Sequence, residues 1–261
     1  MLGNFKEALN STHFVRIPLV TRASLPQLLK SYSRIEKGTI SGVIPKGAFT
    51  HPANLHLSLG ELSLTTRRKF EAALKILRSA IARHGDRPLT AHVVGIGNSL
   101  LSHYSRDLPR ALRLFSRLED PTKSLQRFCQ GVNSDLRDEG LMELRPFENG
   151  QVPLQTRVMD TRRLARDPTM DKQHKRSKPR IDATNIHRKY KDFVLMEDVR
   201  LQELHISEIG LKKVQYEDVM VAGYRNIVTV ALPGNAGDGT EPLQAKTEVR
   251  IPVRTPRYRV R

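Results

Sequence analysis

The sequence has one cysteine, no tryptophan and no long apolar run, and each absence excludes a class of protein. Cys129 has no second cysteine to pair with, so a disulfide-stapled secreted scaffold is excluded and a reducing compartment is favoured. The apolar stretch at residues 14–20 is interrupted by Arg16 and Pro18, whereas a membrane-spanning helix needs about 18 apolar residues. The first residues lack the apolar segment of a signal peptide, and they contain Glu7. We therefore expect no membrane partner.

Basic residues are abundant and unevenly distributed. The 261 residues contain 44 Lys and Arg against 27 Asp and Glu, a net charge of +17. Residues 162–191 hold eleven basic and three acidic residues, and residues 246–261 hold six basic and one acidic. Such segments are typical of proteins that contact a phosphate backbone. The alternative is a solvated loop and a disordered tail whose charge only keeps the protein soluble.

The spacing of apolar residues predicts the order of strands and helices. Residues 54–64 alternate strictly, with Leu55, Leu57 and Leu59 on one face and His56 and Ser58 on the other. Other predicted strands cover 13–20, 88–97, 109–118, 152–160, 198–209 and 224–232, and predicted helices cover 23–37, 65–83, 121–139 and 182–193. This order predicts an α+β fold with one layer of helices on mixed sheets and a weak two-fold repetition centred near residue 90.

Two histidine–serine pairs are the candidate chemical groups. His56 and Ser58 project from the same face of a strand, so an imidazole that exchanges protons stands beside a hydroxyl that orients a phosphoryl oxygen. Simple solvation is the commoner role of such a histidine. His205 and Ser207 form a second pair on another predicted strand. No HExxH motif, Cys/His ligand set, P-loop or GxSxG elbow is present, so we expect no metal and no cofactor.

The stretch NLHLSLGEL resembles the first motif of the two-histidine (2H) phosphoesterases, in which each of two pseudo-symmetric lobes contributes one H-x-[ST] motif. The likeness is strongest to the branch shared by the nuclear-localisation domain of A-kinase anchoring proteins and the first subunit of the activating signal cointegrator complex. STHFVRIPLV resembles the opening strand of that branch, SLQRFCQGVNSDLRDEGLMEL resembles the helix before the second motif, and LHISEIGL resembles the closing strand. The resemblance covers residues 11–232 and implies a LigT-like fold. It also implies a pair of histidines that act on a 2′,3′-cyclic phosphate or a phosphodiester.

The second motif of the family corresponds here to PLQTRVMDT, with Gln155 in place of the histidine and Arg157 in place of the hydroxyl. Glutamine cannot titrate, and losing a positioned acid or base costs about 10²–10⁴-fold in rate. Arg157 is suited to hold a phosphate through two hydrogen bonds. The alternative is that both residues only fill a degraded pocket. His205 and Ser207 are a possible replacement, although they lie in the stretch that resembles a non-catalytic strand.

The sequence therefore predicts an N-terminal lead (1–12), a 2H phosphoesterase-like domain (11–232) with a basic loop (161–180), and a basic, flexible C-terminal tail (233–261). The expected ligand is RNA or a phosphorylated nucleotide, with catalysis weak or absent. Two alternatives stay open: an active cyclic or RNA-end phosphodiesterase, and an interaction subunit of a transcription or repair complex. We expect a monomer, nuclear or cytoplasmic, whose densest basic stretch is KRSKPR. The predicted RNA contacts are Arg162, Arg163, Lys175, Arg176, Lys178 and Arg180.

Overall fold

The computed structural model describes residues 11–39, 44–45, 47–84, 87–98, 110–142, 151–166, 180–216 and 219–232. The predicted tail at 233–261, most of the N-terminal lead and residues 167–179 of the basic loop lie outside these ranges. The described strands and helices, in chain order, are β1 (His13–Pro18), α1 (Leu25–Gly38), β2 (His56–Leu62), α2 (Arg67–His84), β3 (Leu89–Gly97), β4 (Arg110–Ala111), β5 (Arg113–Glu119), α3 (Ser124–Asp138), β6 (Gln155–Asp160), β7 (Ile181–Asp182), α4 (Ala183–Tyr190), β8 (Val194–Leu201), β9 (Glu203–Glu208), β10 (Lys212–Tyr216), β11 (Val219–Gly223) and β12 (Asn226–Ala231).

Eight strands form one sheet in the order β12-β9-β1-β2-β6-β5-β3-β8. Four strands on each side make two lobes, which meet where β2 adjoins β6. The predicted two-lobed α+β fold is thus confirmed. Every ladder of the described strands is antiparallel, whereas the sequence analysis expects mixed sheets. The difference arises because a strand–helix–strand pattern in the sequence does not fix the relative direction of the two strands. The long connection through the helix allows the second strand to run antiparallel to the first.

The core lies between the sheet and helices α1 to α4. Leu57 and Leu59 are buried while Ser58 between them is exposed, so the alternation predicted for β2 is confirmed. Asn133 of α3 donates a hydrogen bond from Nδ2 to the Leu59 carbonyl at 2.9 Å, which ties the helix to β2. His56 and Ser58 project from the opposite face of β2, away from the buried leucines. No helix within the described ranges is long and apolar enough to cross a membrane.

The C-terminal part of the fold departs furthest from the sequence prediction. The predicted strand region 198–209 is divided between β8 in the second lobe and β9 in the first, because the chain changes lobes at Gln202. The β10–β11 hairpin was not predicted, since each strand has only five residues and β11 contains no polar residue that would mark an outer face. Asn54 donates from Nδ2 to the Ala222 carbonyl at 2.6 Å. That bond fixes the end of the hairpin beside the start of β2.

Candidate functional site

The two lobes meet at one registered residue pair, Leu57 of β2 opposite Thr156 of β6. Both side chains are buried, 0% and 1% exposed, and so both face the core. The Thr156 hydroxyl donates to the His56 carbonyl at 2.8 Å, which holds the two strands together at this point. Because side chains alternate along a strand, the residues that flank this pair, at positions 56 and 58 of β2 and 155 and 157 of β6, project from the opposite face of the sheet. We call the place where β2 adjoins β6 the joint, and the surface around these four residues the groove.

The four motif positions surround this pair in a two-fold arrangement. Extending the antiparallel register by one residue in each direction sets His56 beside Arg157 and Ser58 beside Gln155. Cross-strand neighbours on one face have Cβ atoms about 4.5–5.5 Å apart. An axis through the registered pair therefore relates His56 to Gln155 and Ser58 to Arg157. The structure thus brings all four residues to one face at the joint of the lobes.

His56 has a defined orientation. Its Nδ1 atom lies 2.7 Å from the carbonyl oxygen of Asn54. A carbonyl only accepts hydrogen bonds, so in the neutral imidazole this contact puts the proton on Nδ1 and the lone pair on Nε2. The rings of Phe14 and Tyr224 pack against the imidazole, with centroids 5.5 Å and 5.2 Å away. The imidazole is therefore held in the tautomer whose Nε2 accepts a proton.

Tyr224 covers the first-lobe side of the groove, and the sequence analysis did not single it out. It lies in the short connection between β11 and β12. Its ring stands 4.9 Å from that of Phe14, and the Arg16 guanidinium lies 5.5 Å from its centroid. Its hydroxyl accepts a hydrogen bond from Arg157 Nη2 at 3.3 Å. No local pattern marks this residue, because its contacts come from three separate strands.

Arg157 belongs to a cluster of three arginines around one carboxylate. Its Nη1 lies 3.2 Å from Asp160, which also accepts two guanidinium hydrogen bonds from Arg162 at 3.0 Å and 2.8 Å. Burial alone would raise the pKa of Asp160, but the Arg162 hydrogen bond and the Arg157 charge outweigh it and lower that pKa. Arg113 stands opposite Asp160 in the β5–β6 ladder. The cluster therefore keeps an excess of positive charge beside the joint.

Arg16 is a second buried cation near the joint. It is 2% exposed, and it donates from Nε to Ser207 at 2.9 Å and from Nη2 to Asn226 at 2.8 Å. It stands opposite Ser58 in the β1–β2 ladder. Burial lowers the pKa of Arg16 to about 10, so the side chain is charged at neutral pH. Its sequence signal was an arginine within an otherwise apolar strand.

The second predicted pair lies apart from His56. His205 and Ser207 are fully buried on β9, and His205 Nε2 donates to Glu203 at 2.8 Å. Strand β1 separates β9 from β2, so the two strands are about 10 Å apart. Ser207 is bonded to Arg16 and Asn226 instead. The geometry joins this pair to the buried network around Arg16 and does not bring it to the joint.

Two buried histidines, His13 and His205, should make the unfolding free energy depend on pH. Burial lowers the pKa of both His205 and His13 in the folded protein. The unfolded chain then takes up protons first as the pH falls below about 6.5, so the unfolding free energy decreases, by at most about 1.4 kcal/mol per histidine and pH unit. Urea denaturation at about pH 7.5 and pH 5.5 measures this difference. In the His205→Gln variant the difference should shrink, and an unchanged slope would contradict the assignment.

The predicted RNA contacts are only partly within the described structure. Arg162 is engaged by Asp160, and Arg180 is exposed just before β7. The side chain of Arg163, and the rest of the KRSKPR segment with Lys175, Arg176 and Lys178, lie outside the described residues. Within the described ranges, no group of three or more His, Cys, Asp or Glu residues is arranged to hold a metal ion.

The groove continues from the joint into the second lobe. A cavity of about 90 Å³ is lined by residues that include Gln155, Phe115, His187 and Lys191. Gly97 allows the His187 ring to lie close to β3, because a Cβ atom at residue 97 would lie 2.7 Å from that ring. Gln155 thus borders both the joint and this cavity. His187 carries no sequence signal for this position, since it lies on α4, remote in sequence from both motifs.

One family model and several solved structures resemble this chain. A model of the AKAP7 2'5' RNA ligase-like domain family matches residues 11–217, a range that includes both β2 and β6. Among solved structures, Escherichia coli LigT complexed with 3'-AMP is 14% identical with a TM-score of 0.48, over 85% of this chain and 98% of LigT. The protein TT0787 of Thermus thermophilus is 16% identical with a TM-score of 0.47, over 86% of this chain and 99% of TT0787. Comparison with curated proteins gave no match.

The family match spans more than half of the chain and confirms the resemblance seen at NLHLSLGEL. The chain belongs to the family of AKAP7 2'5' RNA ligase-like domains.

Proposed function

We propose that the groove at the joint of β2 and β6 binds a phosphorylated nucleotide or an RNA end, with acid–base catalysis weak or absent. The observation that carries this proposal is the two-fold register that relates His56 to Gln155. A phosphodiesterase of this type needs one imidazole as base and another as acid, and glutamine cannot exchange a proton. The groove then keeps the geometry for binding but has half of the proton-transfer pair.

The positive charge around Arg157 supports the binding role. The Arg157 side chain is 21% exposed and stands beside His56 across the joint. Asp160 neutralises one charge of the three arginines, which leaves an excess that attracts an anion. The exposed hydroxyl of Ser58 adds a donor on the other strand. A guanidinium and a hydroxyl on facing strands are suited to the oxygens of one phosphate.

The binding role is tested by titrating a fluorescent 3'-phosphorylated dinucleotide against the full chain and the Arg157→Ala variant. A charge-assisted hydrogen bond contributes about 1.5–3 kcal/mol, so Kd should rise about 10- to 150-fold. Arg67→Ala is the matched control, because Arg67 on α2 carries the same charge and is 74% exposed. The proposal would be overturned if the affinity did not change with salt concentration, or if the Arg157→Ala and Arg67→Ala variants bound the dinucleotide equally well.

An active phosphodiesterase is the second candidate, and the tautomer of His56 favours it. The hydrogen bond from Nδ1 to Asn54 leaves Nε2 as the proton acceptor, as a general base requires. Hydrolysis of a 2′,3′-cyclic nucleotide by the purified protein, abolished in the His56→Ala variant, would replace the binding-only proposal with this one.

A further inference from the structure

A second concave site lies between α2 and α3, on the face of the sheet opposite the groove. The cleft has a volume of about 350 Å³. Leu77 of α2 and Leu136 of α3 belong to the core beneath it, and Asn133 ties α3 to β2. The two-fold joint opens on the other face of β2. The cleft is therefore separate from the groove, and its occupant does not depend on the function proposed for the groove.

The floor of the cleft is apolar and contains a recess. Ala80, Phe128 and Val132 line it and are 6%, 5% and 0% exposed. Gly131 lies among them, and a Cβ atom built on it meets no atom within 4 Å. A missing side chain in the middle of a helix face thus leaves space for an apolar group from outside.

The walls of the cleft are basic. Arg83, Arg87 and Arg127 line it together with His84, and no acidic residue is among the lining residues that the structure describes. Asp135 lies outside the lining and pairs with Arg83 at the edge. The Arg127 side chain lies along α3, because its Nε donates to the Lys123 carbonyl at 3.2 Å. Basic walls above an apolar floor are complementary to a ligand that has carboxylates flanking an apolar side chain.

The lining residues give the cleft a direction. On α3 they recur at steps of three and four residues from Ser124 to Val132, so the cleft follows one face of the helix. The eight steps from residue 124 to residue 132, at 1.5 Å each, give a length of about 12 Å, or two helical turns. A helix that docks in a groove presents its anchor side chains at positions i, i+3, i+4 and i+7, which span about this length. Phe128 is nearly buried, so it offers no ring face on which a base of RNA would stack.

We propose that the cleft between α2 and α3 docks an acidic amphipathic helix of a partner protein. One apolar side chain of that helix enters the recess at Gly131, and its flanking carboxylates pair with Arg87 and Arg127.

The test uses the full chain and a fluorescent helical peptide of about 16 residues, with leucines on one face and glutamates beside them. We expect the Gly131→Leu variant to weaken binding at least about tenfold by filling the recess. Arg127→Glu should weaken binding similarly, and raising the salt from about 50 to 300 mM should weaken it further. Leucine has a higher helix propensity than glycine, so Gly131→Leu should keep or raise the melting temperature. Loss of binding would then not come from unfolding.

A peptide with every glutamate replaced by glutamine is the matched control, and a short single-stranded RNA is the competitor. Weaker binding of the glutamine peptide supports the proposal. Equal binding of the two peptides, or binding unaffected by Gly131→Leu, overturns it. RNA binding that is lost in Gly131→Leu would also overturn it, since the occupant would then be nucleic acid.

Discussion

Replacing Gln155 with histidine and Arg157 with serine should raise the rate of 2′,3′-cyclic nucleotide hydrolysis by about 10²–10⁴-fold. The two-fold register sets these positions opposite Ser58 and His56, so the double variant supplies the missing imidazole at the equivalent point of the second strand. The serine supplies the hydroxyl that would orient the phosphoryl oxygen. The initial rate of hydrolysis, compared with the unmodified protein, measures the gain.

The control for this gain is His56→Ala in the same double variant. If the two imidazoles act as base and acid, removing His56 should return the rate to the level of the unmodified protein. The double variant must also keep its melting temperature, because Arg157 contributes an ion pair with Asp160. A folded double variant with no gain would show that the two strands do not present both side chains to one phosphate.

Replacing Asp160 with asparagine should change stability and phosphate affinity in opposite directions. Asp160 is 3% exposed and holds Arg157 and Arg162 through ion pairs and hydrogen bonds. Breaking a buried ion pair costs about 3–5 kcal/mol, and the exposure of the two arginine side chains, 21% and 38%, reduces this to about 2 kcal/mol. The variant gains one net positive charge beside the joint. A unit charge about 8 Å away, at an effective dielectric constant of about 40, changes the binding free energy by about 1 kcal/mol, or roughly fivefold in Kd.

Urea denaturation and titration with the 3'-phosphorylated dinucleotide measure the two effects on one preparation. Glu71→Gln is the matched control, because it removes one carboxylate that pairs with Arg67 on the surface of α2, where it is 58% exposed. Exposed pairs contribute little, so that variant should change neither quantity appreciably. A loss of affinity in Asp160→Asn would mean that Asp160 positions Arg157 for the ligand and that the orientation matters more than the charge.

Both predictions rest on an asymmetry between the halves of the joint. The β2 half keeps an oriented imidazole and an exposed hydroxyl, His56 and Ser58. The β6 half has a nearly buried amide at Gln155 and a guanidinium at Arg157 that is already engaged by Tyr224 and Asp160. One half is thus suited to proton transfer and the other to holding negative charge, and the double variant tests whether that difference alone limits catalysis.

The predicted part of the fold was recognised from the local spacing of apolar residues along the sequence. The strict alternation around His56 gave β2 and its buried leucines, because each residue of a strand reports its own face. The change of lobe at Gln202 left no such mark, since this single residue separates β8 from β9 and no glycine or proline marks a turn there. The sequence also placed His205 and Ser207 on a strand correctly, but it could not tell a buried strand from one at the joint.

The sequence by itself determined the fold class and the family, and it predicted the two motif positions, because all of these depend on short patterns read along the chain. Only the tertiary structure decided what surrounds them. Tyr224 reaches His56 from a connection near the end of the described chain, Arg16 is held by side chains of β9 and β12, and Asp160 gathers arginines from two strands. The physical reason is that hydrogen bonds and charge interactions act over a few ångströms in space, whatever the separation in sequence.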